Sequence, residues 1–100
     1  MRYDKLVRDK IPEIVKARGG TAVIHLANEA EYWTKLKDKL REEVEEFCAA
    51  ENQEELADIQ EVLLAVQAYK KFDPQAVEAV RRKKSDERGG FEKRIILEES

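Results

Sequence analysis

Two pairs of acidic residues in the middle of the chain have a spacing of three, Glu43 with Glu46 and Glu55 with Asp58. Residues three apart lie on one face of an α-helix, so each pair presents two carboxylates together. Carboxylates held close raise each other's pKa, and burial adds to the cost of their charge. A hard divalent cation relieves both penalties, and ligation by oxygen alone favours Mg²⁺ or Mn²⁺ over Zn²⁺.

The apolar pattern predicts two long helices that bring these pairs together. Residues 29–50 and 53–72 carry apolar side chains spaced three and four apart, with Asn28 and Asn52 as N-cap residues. The apolar positions are Trp33, Leu36, Leu40, Val44 and Phe47, then Leu56, Ile59, Val62, Leu63 and Val66. Since the link between the helices is only a few residues long, we expect an antiparallel hairpin with both acidic pairs near its bend.

The acids lie close to the apolar faces of these helices. At about 100° per residue, Glu43 falls about 60° and Glu46 about 120° from the centre of the first apolar stripe. Glu55 points about 45° from the middle of the second stripe, and Asp58 lies near its border. We therefore predict four converging carboxylates, with Glu42 as a fifth. The chain has 22 acids, however, so solvated helix faces are the other explanation of this spacing.

Glycine and proline residues delimit the remaining elements. A short helix over 12–18 is expected after the break at Pro12, and a third, shorter helix of the helical block 29–84 is expected from Pro74. Residues 21–26 and 91–97 are apolar and rich in β-branched side chains, which is typical of strands. Because an isolated strand has no partner for its backbone groups, we predict that these two segments pair as a small sheet.

The composition indicates one small domain, residues 1–100, that is mainly α-helical. Apolar residues make up 42% and charged residues 41% of the 100, with a net charge of −3. We therefore expect no membrane span, no secretory signal and no binding of a nucleic-acid polymer. Cys48 is the one cysteine, which excludes an intramolecular disulfide and favours the cytoplasm.

Three segments of the chain also resemble a known enzyme family. KLREEVEEF (residues 39–47) followed by EELADI (54–59) resembles the E-x-x-E…E-x-x-D signature of the all-α nucleotide pyrophosphohydrolases. This is the MazG-like superfamily, which includes phosphoribosyl-ATP pyrophosphohydrolase and the dimeric dUTPases. YDKLVRDKIP (3–12) and RGGFEKRI (88–95) resemble a compact subgroup described as phosphoribosyl-ATP pyrophosphohydrolase-like. The resemblance covers nearly the whole chain.

The resemblance implies an Mg²⁺-dependent enzyme that hydrolyses a nucleoside triphosphate, canonical or non-canonical, to a monophosphate and pyrophosphate. Carried over by position, the metal ligands are Glu43, Glu46, Glu55 and Asp58. Metal ions orient a triphosphate and lower the pKa of a bound water, whose proton an uncoordinated carboxylate can accept. Glu42 and Glu46 are the candidates for that base.

A triphosphate also requires cationic side chains beyond the metal. The candidates lie in the N-terminal motif, on the carboxylate stripe, at the end of the third helix and just before the glycine pair at 89–90: Arg8, Lys10, Lys39, Arg82, Lys83, Lys84 and Arg88. A solvated surface charge is the alternative for each of them. For the basic run at 81–84, compensation of the helix dipole is a sufficient structural reason.

Two long amphipathic helices and a shorter third one cannot cover both sides of so thin a core. We therefore predict a homodimer in which two hairpins form a four-helix bundle, and the resemblance implies that the substrate pocket draws on both subunits. Three alternatives stay open. They are the hydrolysis of phosphoribosyl-ATP in histidine synthesis, a non-catalytic helical interaction module, and a structural metal site without turnover.

Overall fold

The computed structural model describes residues 4–100, and the regular secondary structure of these residues is entirely α-helical. The four helices are α1 (Ile11–Ala17), α2 (Glu29–Ala50), α3 (Gln53–Lys70) and α4 (Pro74–Arg88). All four were predicted. The ends of α1, α2 and α3 lie within two residues of the predicted ends, whereas α4 continues to Arg88, four residues past the predicted end at 84. Helix α3 ends before residue 72 because Lys71 adopts a left-handed backbone conformation with a φ of 58°. Tyr3, the first residue of the N-terminal motif, lies outside the described residues.

Side-chain caps fix where the longer helices begin. Asn28, Asn52 and Asp73 accept hydrogen bonds of 2.9, 2.9 and 3.0 Å from backbone N–H groups two or three residues further along. Such a bond satisfies one of the donors that a helix N-terminus leaves without a partner. Asn52 Oδ1 accepts the hydrogen bond from the N–H of Glu55. This bond holds Glu55 in the first turn of α3.

Helices α2 and α3 form an antiparallel hairpin. Among residues 4–100, their interface is the most extensive contact between two helices. The bend is made by Glu51, whose φ of 54° is left-handed and whose N–H donates to the Phe47 carbonyl over 2.7 Å. Leu36, 1% exposed, and Val62 are the buried apolar residues between the two helices. The hairpin predicted from the apolar pattern is thus present, around a very small core.

An aromatic cluster closes the end of the hairpin that lies far from the bend. Trp33 stacks on Tyr69 with ring centroids 5.0 Å apart, and the Tyr32 ring meets Tyr69 edge-on at 5.6 Å. The ammonium groups of Lys37 and Lys70 lie 5.2 and 5.3 Å from the Trp33 ring centroid. Trp33 therefore serves in packing α2 against α3, as its position on the apolar stripe indicates.

The predicted sheet is not found within the described residues of one chain. Residues 21–26 and 91–97 contain no strand, and their large apolar side chains are exposed, with Phe91 at 96%. Neither segment lies beside a partner whose backbone could complete a ladder, so extended apolar sequence alone does not make a strand. His25, expected on a strand, instead has its Nε2 2.9 Å from Oε1 of Glu31.

A single chain leaves an unusually large surface exposed. Its radius of gyration is 17.8 Å, against about 13 Å for a compact domain of this length. Its accessible surface is 9341 Å², whereas a compact 11.6 kDa monomer exposes about 5,800 Å². All the side chains of α4 are exposed. Among the described residues, no helix combines the length and the apolar character needed to cross a bilayer.

Candidate metal centre

Five carboxylates meet beside the bend of the α2–α3 hairpin. One triad consists of Glu42, Glu43 and Glu46 of α2, and a second joins Glu43 to Glu55 and Asp58 of α3. Within each triad, one possible ligand atom per residue lies within 4.8 Å of the others. Glu43 belongs to both triads and occupies the centre of the cluster. The structure therefore brings together the four acids of the two spaced pairs and the additional Glu42.

Glu43 is the most deeply buried acid of the cluster. It is 5% exposed, and its Oε1 forms an ion pair with Lys39 Nζ at 3.1 Å. Its Oε2 is buried without a hydrogen-bond partner among the described residues, and so is Oε2 of Glu55 across the bend. A buried oxygen of this kind is costly unless it is paired. Two orphaned carboxylate oxygens on facing helices fit the requirement of a hard cation for oxygen ligands.

The segment before α1, residues 4–10, lies against this cluster and is termed the N-terminal arm. Lys5 Nζ is 3.1 Å from Oε1 of Glu42, and Arg8 Nη2 is 2.7 Å from Oδ1 of Asp58. These contacts link positions 37 and 50 residues apart in sequence. Arg8 was a predicted phosphate-binding residue. Lys5 was not predicted as a site residue, although it lies three residues before Arg8 in the same N-terminal motif.

The charges of the cluster do not balance. It contains five carboxylates and three cationic side chains: Glu42, Glu43, Glu46, Glu55 and Asp58, with Lys5, Arg8 and Lys39. Within residues 4–100, two negative charges are therefore left over. Among the described residues, no ion pair joins a cationic side chain to Glu46 or Glu55. This excess equals the charge of one divalent cation.

The pKa values of two acids shift in opposite directions. The negative charge of Glu43 is the largest cause of a raised pKa at Glu46, with desolvation and the charge of Glu42 adding to it. The hydrogen bond from Lys5 lowers the pKa of Glu42 and raises the pKa of Lys5 itself. Of the two predicted bases, Glu46 is thus the better proton acceptor, while Glu42 is held as an anion by its cationic neighbours.

A groove of about 400 Å³ runs between the N-terminal arm and the hairpin. Glu43 and Asp58 line it together with Arg8, Lys39 and Tyr32. Tyr32 and Glu43 are eleven residues apart on α2, which corresponds to about 16 Å along the helix axis. The groove therefore combines acidic side chains, two cationic side chains and an aromatic ring along one line.

The other predicted phosphate-binding residues lie elsewhere. Lys10 is the exposed residue that precedes α1, and Arg82 lies 3.7 Å from Glu78 on α4. Lys83, Lys84 and Arg88 are also exposed on α4. None of these five lines the groove. Within one chain, the structure brings only Arg8 and Lys39 of the predicted set to the carboxylates.

Comparisons with known proteins add little to this geometry. No family model matches the chain, and no solved structure matches it. An uncharacterized protein of Mycolicibacterium smegmatis is 48% identical over 50 residues. The match covers 50% of this chain and 51% of that relative, so the chain spans about half of the relative's length.

Proposed function

We propose that this chain is a divalent-cation-dependent nucleotide pyrophosphohydrolase of the MazG-like type. The observation that carries the proposal is Glu43, a buried carboxylate shared by two acidic triads, with one oxygen lacking a partner among the described residues. Burying an incompletely compensated anion costs stability. The cost is understandable if the folded chain binds a cation there, and the cation-dependent hydrolases that the sequence resembles require such a site.

The carboxylates and the cationic side chains have different roles in the proposed reaction. Glu43, Glu46, Glu55 and Asp58 hold the cation when Glu42 accepts the proton of the attacking water, whereas Glu43, Glu55 and Asp58 hold it when Glu46 stays uncoordinated and accepts that proton. A bound Mg²⁺ or Mn²⁺ supplies charge neutralisation of the phosphates and a water of lowered pKa. Cationic side chains of the groove bind the phosphate oxygens, as electrostatic stabilisation of phosphoryl transfer requires.

The groove supports a nucleotide as the substrate. Lys39 and Arg8 lie at its carboxylate end, where an anionic phosphate chain finds both metal ligands and cationic side chains. Tyr32, about 16 Å further along α2, offers an aromatic ring to a nucleobase. In this arrangement the phosphates lie at the bend of the hairpin and the base lies toward the aromatic cluster.

We further propose that the active form is a homodimer, in the cytoplasm, in which two hairpins form a four-helix bundle. The excess of exposed surface supports it, because pairing of two copies covers apolar side chains that one chain leaves in water. The predicted pairing of residues 21–26 with 91–97 belongs to this dimer, since both segments are exposed in the single chain.

Equilibrium titration with Mn²⁺, followed by the electron paramagnetic resonance signal of the free ion, tests the metal centre. We expect the wild type to bind Mn²⁺ and the Glu55→Gln variant to bind it at least tenfold more weakly. Glu54→Gln is the matched control, since it removes the same charge from the neighbouring exposed position. Failure of the wild type to bind Mn²⁺ at millimolar concentration would exclude the proposed centre.

The reaction is tested with a panel of canonical, oxidised and deoxynucleoside triphosphates together with phosphoribosyl-ATP. We expect at least one of them to be cleaved to a monophosphate and pyrophosphate in the presence of Mg²⁺. Release of orthophosphate alone would contradict the proposed position of bond cleavage. Preference for phosphoribosyl-ATP over every triphosphate would instead identify the biosynthetic reaction.

A further inference from the structure

The N-terminal arm brings cationic side chains to acids that the proposed function assigns to a metal ion or to the reaction. Lys5 contacts Glu42 and Arg8 contacts Asp58, and neither cation is carried by a helix of the hairpin. Leu6, half-buried, lies between them and lines the same groove. The arm is thus seated directly over the carboxylate cluster, in contact with both α2 and α3.

The two arm cations differ in setting from the cation borne by α2. The side chains of Lys5 and Arg8 are 45% and 56% exposed, whereas that of Lys39 is 18% exposed. Exposed ion pairs contribute little to stability and are screened by solvent. Lys39 is held by its own helix, one turn from Glu43. The arm cations are therefore the ones that can leave the carboxylates at small cost.

A divalent cation and the arm cannot both use the same oxygens without mutual repulsion. Arg8 already contacts Oδ1 of Asp58, so a second cation bound there lies beside a positive guanidinium. Phosphate oxygens in the groove attract the same guanidinium, which can bind them with two parallel hydrogen bonds. Arg8 lines that groove and does not need to travel far to reach them.

We propose that Lys5 and Arg8 are exchangeable counter-ions, which neutralise Glu42 and Asp58 before a divalent cation binds, and that Arg8, which lines the groove, then moves to the phosphate oxygens of the substrate. This inference rests on the proposed function and adds a coupling to it. Cation binding releases the arm for the phosphates, and phosphate binding removes the arm as a competitor of the cation. The two ligands thus strengthen each other's binding by the same factor.

If Arg8 exchanges in this way, removal of its charge has opposite effects on the affinity for the divalent cation and on the affinity for phosphate. Without the charge of Arg8, the carboxylates are more available to a cation, and the phosphates lose a binding partner. An arm that only supports the fold behaves differently, because its loss weakens the binding of both ligands. Measuring the affinity for the divalent cation and the affinity for phosphate therefore distinguishes exchangeable counter-ions from an arm that only supports the fold.

The experiment measures both affinities for Lys5→Gln and Arg8→Gln in the full chain. Mn²⁺ is titrated alone, and inorganic pyrophosphate is then titrated calorimetrically in saturating Mg²⁺. For each variant we expect Mn²⁺ to bind roughly three- to tenfold more tightly, and for Arg8→Gln we expect pyrophosphate to bind at least threefold more weakly. Arg18→Gln removes one charge from an exposed position at the end of α1, and it should change neither affinity by more than twofold.

A variant that preserves the charge of Arg8 distinguishes the loss of charge from a change in folding. Arg8→Lys keeps the positive charge and is expected to bind Mn²⁺ as the wild type does. Equal or weaker Mn²⁺ binding by Lys5→Gln and Arg8→Gln, in a wild type that binds the ion, overturns the exchange and leaves the metal centre standing. The exchange is equally overturned if Arg8→Lys gains affinity as Arg8→Gln does. A wild type that binds no Mn²⁺ overturns the proposed function itself.

Discussion

Glu43 of α2 and Glu55 of α3 approach each other across the bend of the hairpin, and each holds one buried oxygen without a hydrogen-bond partner among residues 4–100. The carboxylates share a triad with Asp58 whose possible ligand atoms lie within 4.8 Å of one another. Bringing these negative charges together opposes the packing of α2 on α3. The packing of α2 on α3 is therefore more favourable when a positive charge compensates these carboxylates.

A bound divalent cation is expected to stabilise the fold through this contact. Saturation at a hundred times the dissociation constant adds about 2.7 kcal/mol, which corresponds to a rise of roughly 10 °C or more in Tm for a chain of this size. Thermal unfolding followed by circular dichroism, in EDTA and in excess Mn²⁺, measures the shift. Glu54→Gln should respond as the wild type does. An equal rise in Glu55→Gln would assign the stabilisation to another site.

Glu46→Gln is expected to stabilise the chain in EDTA at pH 7. Because the pKa of Glu46 is raised in the fold, chiefly by Glu43, its ionised form opposes folding at neutral pH. That opposition is absent below the ordinary pKa of a glutamate, about 4.3, and grows until the pH exceeds the raised value. The Tm of the variant should therefore exceed that of the wild type at pH 7 and match it near pH 4. A constant difference at both pH values would contradict this cause.

The small core makes the hairpin sensitive to truncation of Leu36. This side chain is 1% exposed, so Leu36→Ala is expected to lower the free energy of unfolding by about 2–5 kcal/mol. Leu64→Ala removes the same atoms from a position of α3 that is more than half exposed, and it should cost about 1 kcal/mol or less. Urea denaturation measures both values. Equal losses would show that a second copy or a ligand covers Leu64.

We expect the proposed dimer to cover the apolar side chains Val77 and Val80 of α4 in addition to those of the hairpin, since the single chain leaves them exposed. Val80→Asp places a charge among apolar side chains that two copies would bury, so we expect sedimentation velocity to show a shift from dimer to monomer. Ser85→Asp adds the same charge to an exposed polar position of the same helix and should stay dimeric. A wild type that sediments as a monomer at high micromolar concentration would contradict the proposal.

The helices could be predicted from the sequence because their causes are local. Apolar residues at spacings of three and four define the buried faces, and Asn28, Asn52 and Asp73 satisfy backbone donors within their own first turns. The left-handed residue Glu51 at the bend follows from the short link between α2 and α3. None of these features requires knowledge of a distant part of the chain.

The strands predicted for 21–26 and 91–97 show the limit of that reasoning. Their composition is typical of strands, yet a strand exists only when another segment supplies its hydrogen bonds. Within the described residues of one chain no such partner is present, and Phe91 lies in water instead. Pairing is a non-local property, which the residue types of a single segment cannot decide.

The sequence by itself determined the four helices, the hairpin and the meeting of two acidic pairs near its bend, since period and loop length are sufficient for these. Only the tertiary structure decided that Glu43 is buried at the centre, that one oxygen of Glu55 lacks a partner within residues 4–100, and that Lys5 and Arg8 neutralise Glu42 and Asp58. The physical reason is distance along the chain. Contacts across 37 and 50 residues depend on how whole elements pack, and no local pattern encodes them.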